Sequence, residues 1–112
     1  MAYPLYNAIT LSTGAYTKTA NLITGRNQFL GKGRIQVIAR GSAIGMNLSL
    51  VINGIAICDD QVIPFFGASG SLSTKDHMVL DQVVTGGTAE FYLRNTTNGA
   101  LTSDVMVLFT PM

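Results

Sequence analysis

The sequence predicts an all-β protein, an antiparallel β-sandwich with an extended N-terminal arm, and three observations lead to this prediction. Val, Ile, Thr, Phe and Tyr recur through the 112 residues with Gly and Asn between them, which is strand composition. Short apolar segments follow one another at intervals of about ten residues, with turn signals between them, as in sandwiches and barrels. The pair Asn53-Gly54 separates two apolar segments and is a strong hairpin signal.

The most regular segments predict the first strands of the body. In residues 33–41 and again in residues 46–52, apolar residues occupy every second position, the pattern of a strand with one buried face. The Asn-Gly turn then leads into a strand at 55–58, which Asp59-Asp60 is expected to close. That strand contains Cys58, the single cysteine, which cannot form an intrachain disulfide and is expected to be buried as a small apolar residue.

Four further strands are expected after the hairpin. The first, at 61–66, should lie at an edge or a bend because Pro64 donates no ladder hydrogen bond. The others are predicted at 77–84, 88–94 and 104–110. In the first of these, the residues predicted to point inward past an irregularity are Met78, Leu80 and Val83.

The last predicted strand, 104–110, is apolar on both faces. A strand of this kind lies at the centre of a sandwich with something over its outer face, or it forms a subunit contact. The sequence leaves both positions open.

The first 32 residues are read as an N-terminal arm with one or two short strands, and residues 33–112 as the sandwich body of a single domain. Two alternatives stay open for the arm. Because about ten extended residues span roughly 33 Å, it could cross onto a neighbouring subunit and clamp it. It could equally form the edge strands of its own domain. The clamp predicts that removal of residues 1–12 leaves the sandwich folded.

Aromatic and apolar residues of the arm, and one aromatic pair, are the candidate partner contacts. Large amphipathic rings on a nearly uncharged segment bury area at a low entropy cost. Adjacent aromatics in a strand send one ring to each face, so one ring of the pair is expected at an interface. The candidate contact residues are Tyr3, Leu5, Tyr6, Ile9, Leu11, Tyr16, Phe65 and Phe66.

Charged residues make up 12% of the chain, about half the usual share of a quarter. The surface of so small a domain must then be unusually neutral and apolar, which is typical of surfaces covered by other copies or by a partner. A net charge of +1 does not favour direct binding of nucleic acid. No apolar run approaches the roughly 20 residues of a membrane span, so no membrane association is expected.

Catalytic and metal-binding chemistry is sparse, and the sequence predicts neither an enzyme nor a cofactor. The one histidine, His77, lies between Ser73 and Asp81, but no strained nucleophile turn accompanies these residues. Carboxylates on two loops could offer oxygen ligands to calcium if the loops met, although an Asp-Asp pair is more often a polar turn. Those carboxylates are Asp59, Asp60, Asp76 and Asp81.

Residues 33–110 contain five strand segments in a recurrent order: Arg34–Ala39, Leu48–Gly54, His77–Leu80, Glu90–Asn95 and Asp104–Phe109. This order resembles the small jelly-roll sandwiches of virus and phage particles, and more weakly the trimeric heads of the tumour-necrosis-factor/C1q type. The resemblance implies an antiparallel, jelly-roll-like β-sandwich.

This resemblance implies a structural virion component, a capsid decoration (cement) protein or small capsid protein. Its implied partners are itself, as a homotrimer or larger assembly, and the major capsid protein or other shell subunits. The chain has neither the stalk nor the secretion signal of secreted trimeric heads, so assembly in the host cytoplasm is expected. The alternative is a trimeric receptor- or glycan-binding head of a fibre or spike, although the predicted loops are small and Gly/Ser-rich and offer little to hold a sugar.

Overall fold

The protein is an antiparallel β-sandwich, as predicted. A computed structural model describes residues 3–41, 45–63 and 78–112. Within these ranges it contains no helix of the length and apolarity needed to cross a membrane. Besides a 3-10 turn at Gly25–Gln28, its elements are the strands β1 (Tyr3–Thr13), β2 (Phe29–Leu30), β3 (Gly33–Gly41), β4 (Met46–Ile52), β5 (Ile55–Val62), β6 (Met78–Val84), β7 (Gly87–Asn95) and β8 (Leu101–Pro111).

The strands form two four-stranded sheets. The first sheet has the order β1-β8-β3-β6 and the second sheet the order β2-β7-β4-β5. Among the strands of the described residues, each lies in the opposite sheet from the one before it, except at the β4–β5 hairpin. The pairings are nested: β4 pairs with β5, β3 with β6, β2 with β7 and β1 with β8, all antiparallel. The chain therefore wraps as one folded-over hairpin whose two ends meet in the first sheet.

The core lies between the sheets and is built by the alternation seen in the sequence. The inward faces predicted for the strands at 33–41, 46–52 and 88–94 are confirmed, and the last strand contributes its own inward face. The fully buried members of these faces are Ile35, Val37, Ala39, Leu48, Leu50, Ala89, Phe91, Leu93, Val105 and Val107. Cys58 is buried as predicted, and this burial raises the pKa of its thiol.

The hairpin turn forms as predicted, but its second strand is longer than expected. Asn53 and Gly54 have φ angles of 53° and 79°, the left-handed backbone that an Asn-Gly turn requires. Asp60 does not close the strand, because β5 continues to Val62. At Asp60 the φ angle is 49° and the backbone N–H donates to Ser49 Oγ at 3.0 Å. This irregularity allows β5 to continue past the Asp-Asp pair.

The prediction that Val83 points inward is wrong. From Leu80 to Val84 the pairing of β6 with β3 is regular, so Val83 alternates to the outer face and is 53% exposed, whereas Val84 is buried. Leu80 packs against the core as predicted. The register shifts between the pairings with Val37 and Ile38, so Met78, also predicted to point inward, lies opposite Ile38 on the outer face of the first sheet.

Of the two alternatives for the N-terminal arm, residues 3–13 adopt the second. They form β1, the edge strand of the domain's own first sheet, paired along its length with β8. The side chain of Leu5 is 3% exposed in the core. The next segment runs beside β7, where Thr19 N donates to Leu93 O at 2.8 Å and Leu22 N to Phe91 O at 2.9 Å. The N-terminal residues thus close one side of the sandwich.

Candidate functional site: two interaction surfaces

The outer face of the first sheet carries a row of apolar side chains across three strands. Met106 of β8 lies opposite Ile38 of β3, and Ile38 lies opposite Met78 of β6. We call these three residues the apolar row. Ile38 is 2% exposed although it points away from the core, and the two methionines are half-buried. Large apolar residues at the middle of an outer face are unusual for a sheet that is solvated on that side.

Ion pairs flank the apolar row on both sides. On one side Arg40 Nε lies 2.8 Å from Asp104 Oδ2, and the two side chains are only 15% and 17% exposed. On the other side Arg34 donates from Nε and Nη2 to the two carboxylate oxygens of Asp81, as a bidentate pair. The guanidinium group holds the pKa of the Asp81 carboxyl below its usual value, and the carboxylate raises the pKa of Arg34.

The last predicted strand is central in its own sheet, because β8 lies between β1 and β3. Val107 and its inward neighbours are buried between the sheets, whereas Met106 and Leu108 point outward and are half-buried. Its outer face therefore belongs to the same surface as the apolar row.

The second surface is a shallow depression at one end of the second sheet. It is lined by Tyr16, Lys18, Arg94, Asn95 and Thr96. The Lys18 ammonium lies 4.7 Å from the centroid of the Tyr92 ring. Lys18 and Arg94 are opposite one another in an antiparallel bridge, so the chain brings two cations together at this point.

Neighbouring carboxylates accompany these cations. Arg94 Nε lies 3.6 Å from Asp60 Oδ1, with the side chains 44% and 39% exposed. The Tyr92 hydroxyl donates to Glu90 Oε1 at 2.8 Å, and this hydrogen bond raises the pKa of Tyr92. The depression therefore carries an exposed tyrosine and two cations, with the Asp60 carboxylate beside Arg94.

Asn95 positions the turns around the depression. Its side chain is fully buried, and its Nδ2 donates to Thr13 O at 3.0 Å and to Gly99 O at 2.8 Å. Its Oδ1 accepts from Thr97 N and Thr97 Oγ1 at 2.9 and 2.7 Å. Tyr16 N in turn donates to Thr97 O at 3.1 Å. One buried amide thus joins β1, the turn after β7 and the segment that carries Tyr16.

The predicted contact residues of the arm fall into two groups. Most pack within the domain: Leu5 is buried, Leu11 is half-buried against the core, and the Tyr6 ring lies 6.3 Å from that of Phe91. That burial raises the pKa of Tyr6. The more exposed ones are Tyr3, at 40%, and Tyr16, at 71%.

The side chains of three other predicted contact residues are outside the described part of the chain. Ile9 lies in β1 but its side chain is outside the described part of the chain, and Phe65 and Phe66 lie outside the described residues altogether.

The carboxylates proposed for calcium are separated where the structure describes them. Asp60 faces Arg94 on the second sheet, and Asp81 is paired with Arg34 on the first. Among residues 3–41, 45–63 and 78–112 there is no group of three or more His, Cys, Asp or Glu residues that could hold a metal ion. Ser73, Asp76 and His77 lie outside the described residues.

Comparisons with protein families, with curated proteins and with solved structures find no match to this chain.

Sequence reasoning missed the depression because its two cations are far apart in the chain. Lys18 and Arg94 become neighbours only when the N-terminal segment pairs with β7. The exposed Tyr16 was a candidate contact, but nothing in its local sequence indicates a charged partner. The apolar row was partly foreseen, since the last strand was predicted to be apolar on both faces.

Proposed function

We propose that this protein is a structural virion component, a capsid decoration (cement) protein or small capsid subunit. It stabilises a shell through self-association, as a homotrimer or larger assembly, and through contacts to neighbouring subunits, without a cofactor. The observation that carries the proposal is the outer face of the first sheet, where the apolar row lies between two closed ion pairs.

The connectivity of the strands supports a jelly roll. The described residues form eight strands in two four-stranded sheets, paired as nested hairpins, which is what a double Greek key produces. Jelly rolls recur in viral capsid proteins and in lectins, so the fold narrows the function without deciding it. The argument for a capsid role therefore depends on the outer face of the first sheet.

The outer face of the first sheet has the composition of a protein interface. Interfaces place apolar groups at the centre and polar groups at the rim. Here the centre is Ile38 with its two methionine neighbours, and the rim carries charges that are already paired within the subunit, such as Arg40 with Asp104. Covering this face would leave neither of these charges without its partner, so association would not bury an unpaired charge, which is the costliest case.

The molecule is also large enough to form a standard protein–protein interface. Its extents are 38 × 27 × 20 Å, so a broad face can supply the roughly 800 Å² per partner that a standard interface buries. A second copy suits the face because the surface is neutral and self-complementary in charge. A nucleic acid would require a basic surface instead.

The test is the native mass of the purified full chain, measured by light scattering behind a sizing column at two concentrations ten-fold apart. The proposal predicts a trimer or a discrete larger assembly whose mass is a multiple of 11.9 kDa. Electron microscopy of the same fractions would then distinguish closed shells from small oligomers. A species of 11.9 kDa at both concentrations would contradict self-association.

A further inference from the structure

The depression lined by Tyr16, Lys18, Arg94 and Thr96 is not used by the proposed self-association, because it lies on the second sheet. Two local features there cost stability. Each is unusual by itself, and they meet at the same place.

The first costly feature is a pair of like charges. Lys18 and Arg94 face one another across an antiparallel bridge, and like charges directly opposite in a sheet are destabilising. Asp60 Oδ1 lies 3.6 Å from Arg94 Nε, which is beyond hydrogen-bonding distance. The Arg94 guanidinium can therefore donate two hydrogen bonds to the carboxylate of a ligand, as a bidentate pair.

The second costly feature is the backbone of Tyr16. Its φ angle is 53°, in the left-handed region that residues other than Gly, Asn and Asp seldom occupy. The conformation is held by the hydrogen bond to Thr97 O and by the turn in which Thr17 N donates to Gly14 O at 3.3 Å. Because the ring is 71% exposed, its packing does little to offset that strain. Strained residues of this kind cluster at ligand-binding sites.

We propose that this depression binds an acidic sugar, meaning a saccharide ring that carries one carboxylate. The exposed Tyr16 ring offers a flat apolar face on which the sugar ring can stack. Arg94 and Lys18 lie where the carboxylate would be held. Thr96 Oγ1 already donates to Gly45 O at 2.7 Å, so its lone pairs are available to accept from a sugar hydroxyl.

The charges around the depression favour a ligand with a single negative charge. Asp60 lies 3.6 Å from Arg94, and Glu90 accepts from the hydroxyl of Tyr92, whose ring lies under Lys18, so carboxylates partly balance the two cations. A polyanion such as a nucleic acid or a polyphosphate would bring several charges towards these carboxylates and would be repelled. A lone carboxylate on a neutral ring fits both the cations and the aromatic face.

The experiment is saturation-transfer-difference NMR on the full chain in whatever assembly it forms, with methyl β-glucuronide as the probe. Methyl β-glucoside, which lacks the carboxylate, and inorganic phosphate, which lacks the ring, are competitors. We expect a dissociation constant of about 1 mM, as for a small ligand on a shallow site, and displacement at least about ten-fold weaker by either competitor. No saturable signal, or equal displacement by phosphate or by the uncharged glucoside, would overturn the proposal.

Two variants locate the site. Arg94→Gln removes the guanidinium and should weaken glucuronide binding at least about ten-fold, whereas Lys32→Gln, at an exposed cation between β2 and β3, should leave it unchanged. Tyr16→Asn removes the ring but keeps a residue that tolerates the left-handed backbone. It should abolish binding while the melting temperature stays the same or rises. Undiminished binding in Arg94→Gln or Tyr16→Asn would overturn the assignment.

Discussion

At the scale of single residues, a close approach of two strands shows how strictly the packing selects side chains. At Gly33, in β3, an added Cβ would lie 2.5 Å from Cζ of Phe109 and 2.5 Å from the Thr110 carbonyl oxygen. Real Cβ atoms do not come so close to a ring and a backbone oxygen, so any side chain here forces β3 and β8 apart. Glycine is required by space at this position.

The Gly33→Ala variant should therefore be destabilised by about 1–3 kcal/mol, the usual cost of overpacking a buried site. The matched control is Gly31→Ala, because a Cβ there would meet nothing within 4 Å. We expect the control to change the free energy of unfolding by no more than about 0.5 kcal/mol. Urea denaturation measures both, and equal stability of the two variants would contradict the close contact.

The pairing of Asp81 with Arg34 predicts that the free energy of unfolding depends on pH. Its pKa is lowered in the folded protein by the hydrogen bonds from Arg34, so the folded state holds the ionised form more strongly than the unfolded state does. The stabilisation is then present above the unfolded pKa of about 3.9 and is lost as the pH falls through the lower folded value. An NMR titration of the carboxyl should give a midpoint below the ordinary range, and Arg34→Gln should raise it. An unchanged midpoint in that variant would argue against the pair.

At the scale of elements, β1 is the part of the fold that the sequence predicted least well. Register shifts between Pro4 and Tyr6 and between Ala8 and Leu11 interrupt the alternation, so an eleven-residue strand reads as an irregular segment. In β3, β4 and β7 the alternation is unbroken, and their inward faces could be predicted. The end of β5 and the start of β6 were harder to predict because the irregularities at Asp60 and next to Met78 change the face on which the neighbouring side chains lie.

The position of β1 changes the expected result of truncation. Removing residues 1–12 takes away most of an edge strand and the buried Leu5, and it leaves the backbone of β8 unpaired on one side. We expect the truncated chain to lose its cooperative thermal transition and to aggregate, as exposed edges do. Circular dichroism melting measures this, and a folded, soluble truncated protein would support a detachable arm instead.

A single substitution in β1 tests the packing of its side chain without shortening the chain. Leu5→Ala should lower the free energy of unfolding by about 2–5 kcal/mol, because the side chain is 3% exposed in the core. Asn7→Ala in the same strand is exposed and should change it by about 0.5 kcal/mol or less. If both variants unfold at the same urea concentration, β1 does not contribute to the core as described.

At the scale of the whole molecule, the two surfaces depend on strand order, which no local pattern specifies. The apolar row exists because β8 lies between β1 and β3, and the depression exists because the N-terminal segment pairs with β7. The sequence could indicate that β8 has two apolar faces, but not which neighbours extend the outer one. Such contacts between distant segments arise from topology, so only the folded structure brings Lys18 to Arg94.

The central claim, that copies associate through the outer face of the first sheet, is tested most directly by one pair of variants. Met106→Lys places a charge in the apolar row, whereas Val51→Lys places one at a half-buried outward position of a central strand in the second sheet, opposite Glu90. Light scattering of the folded proteins at one concentration gives their masses. We predict that the wild type and Val51→Lys are oligomers and that Met106→Lys is a monomer of about 11.9 kDa. A folded Met106→Lys variant that keeps the mass of the wild-type assembly would contradict the account.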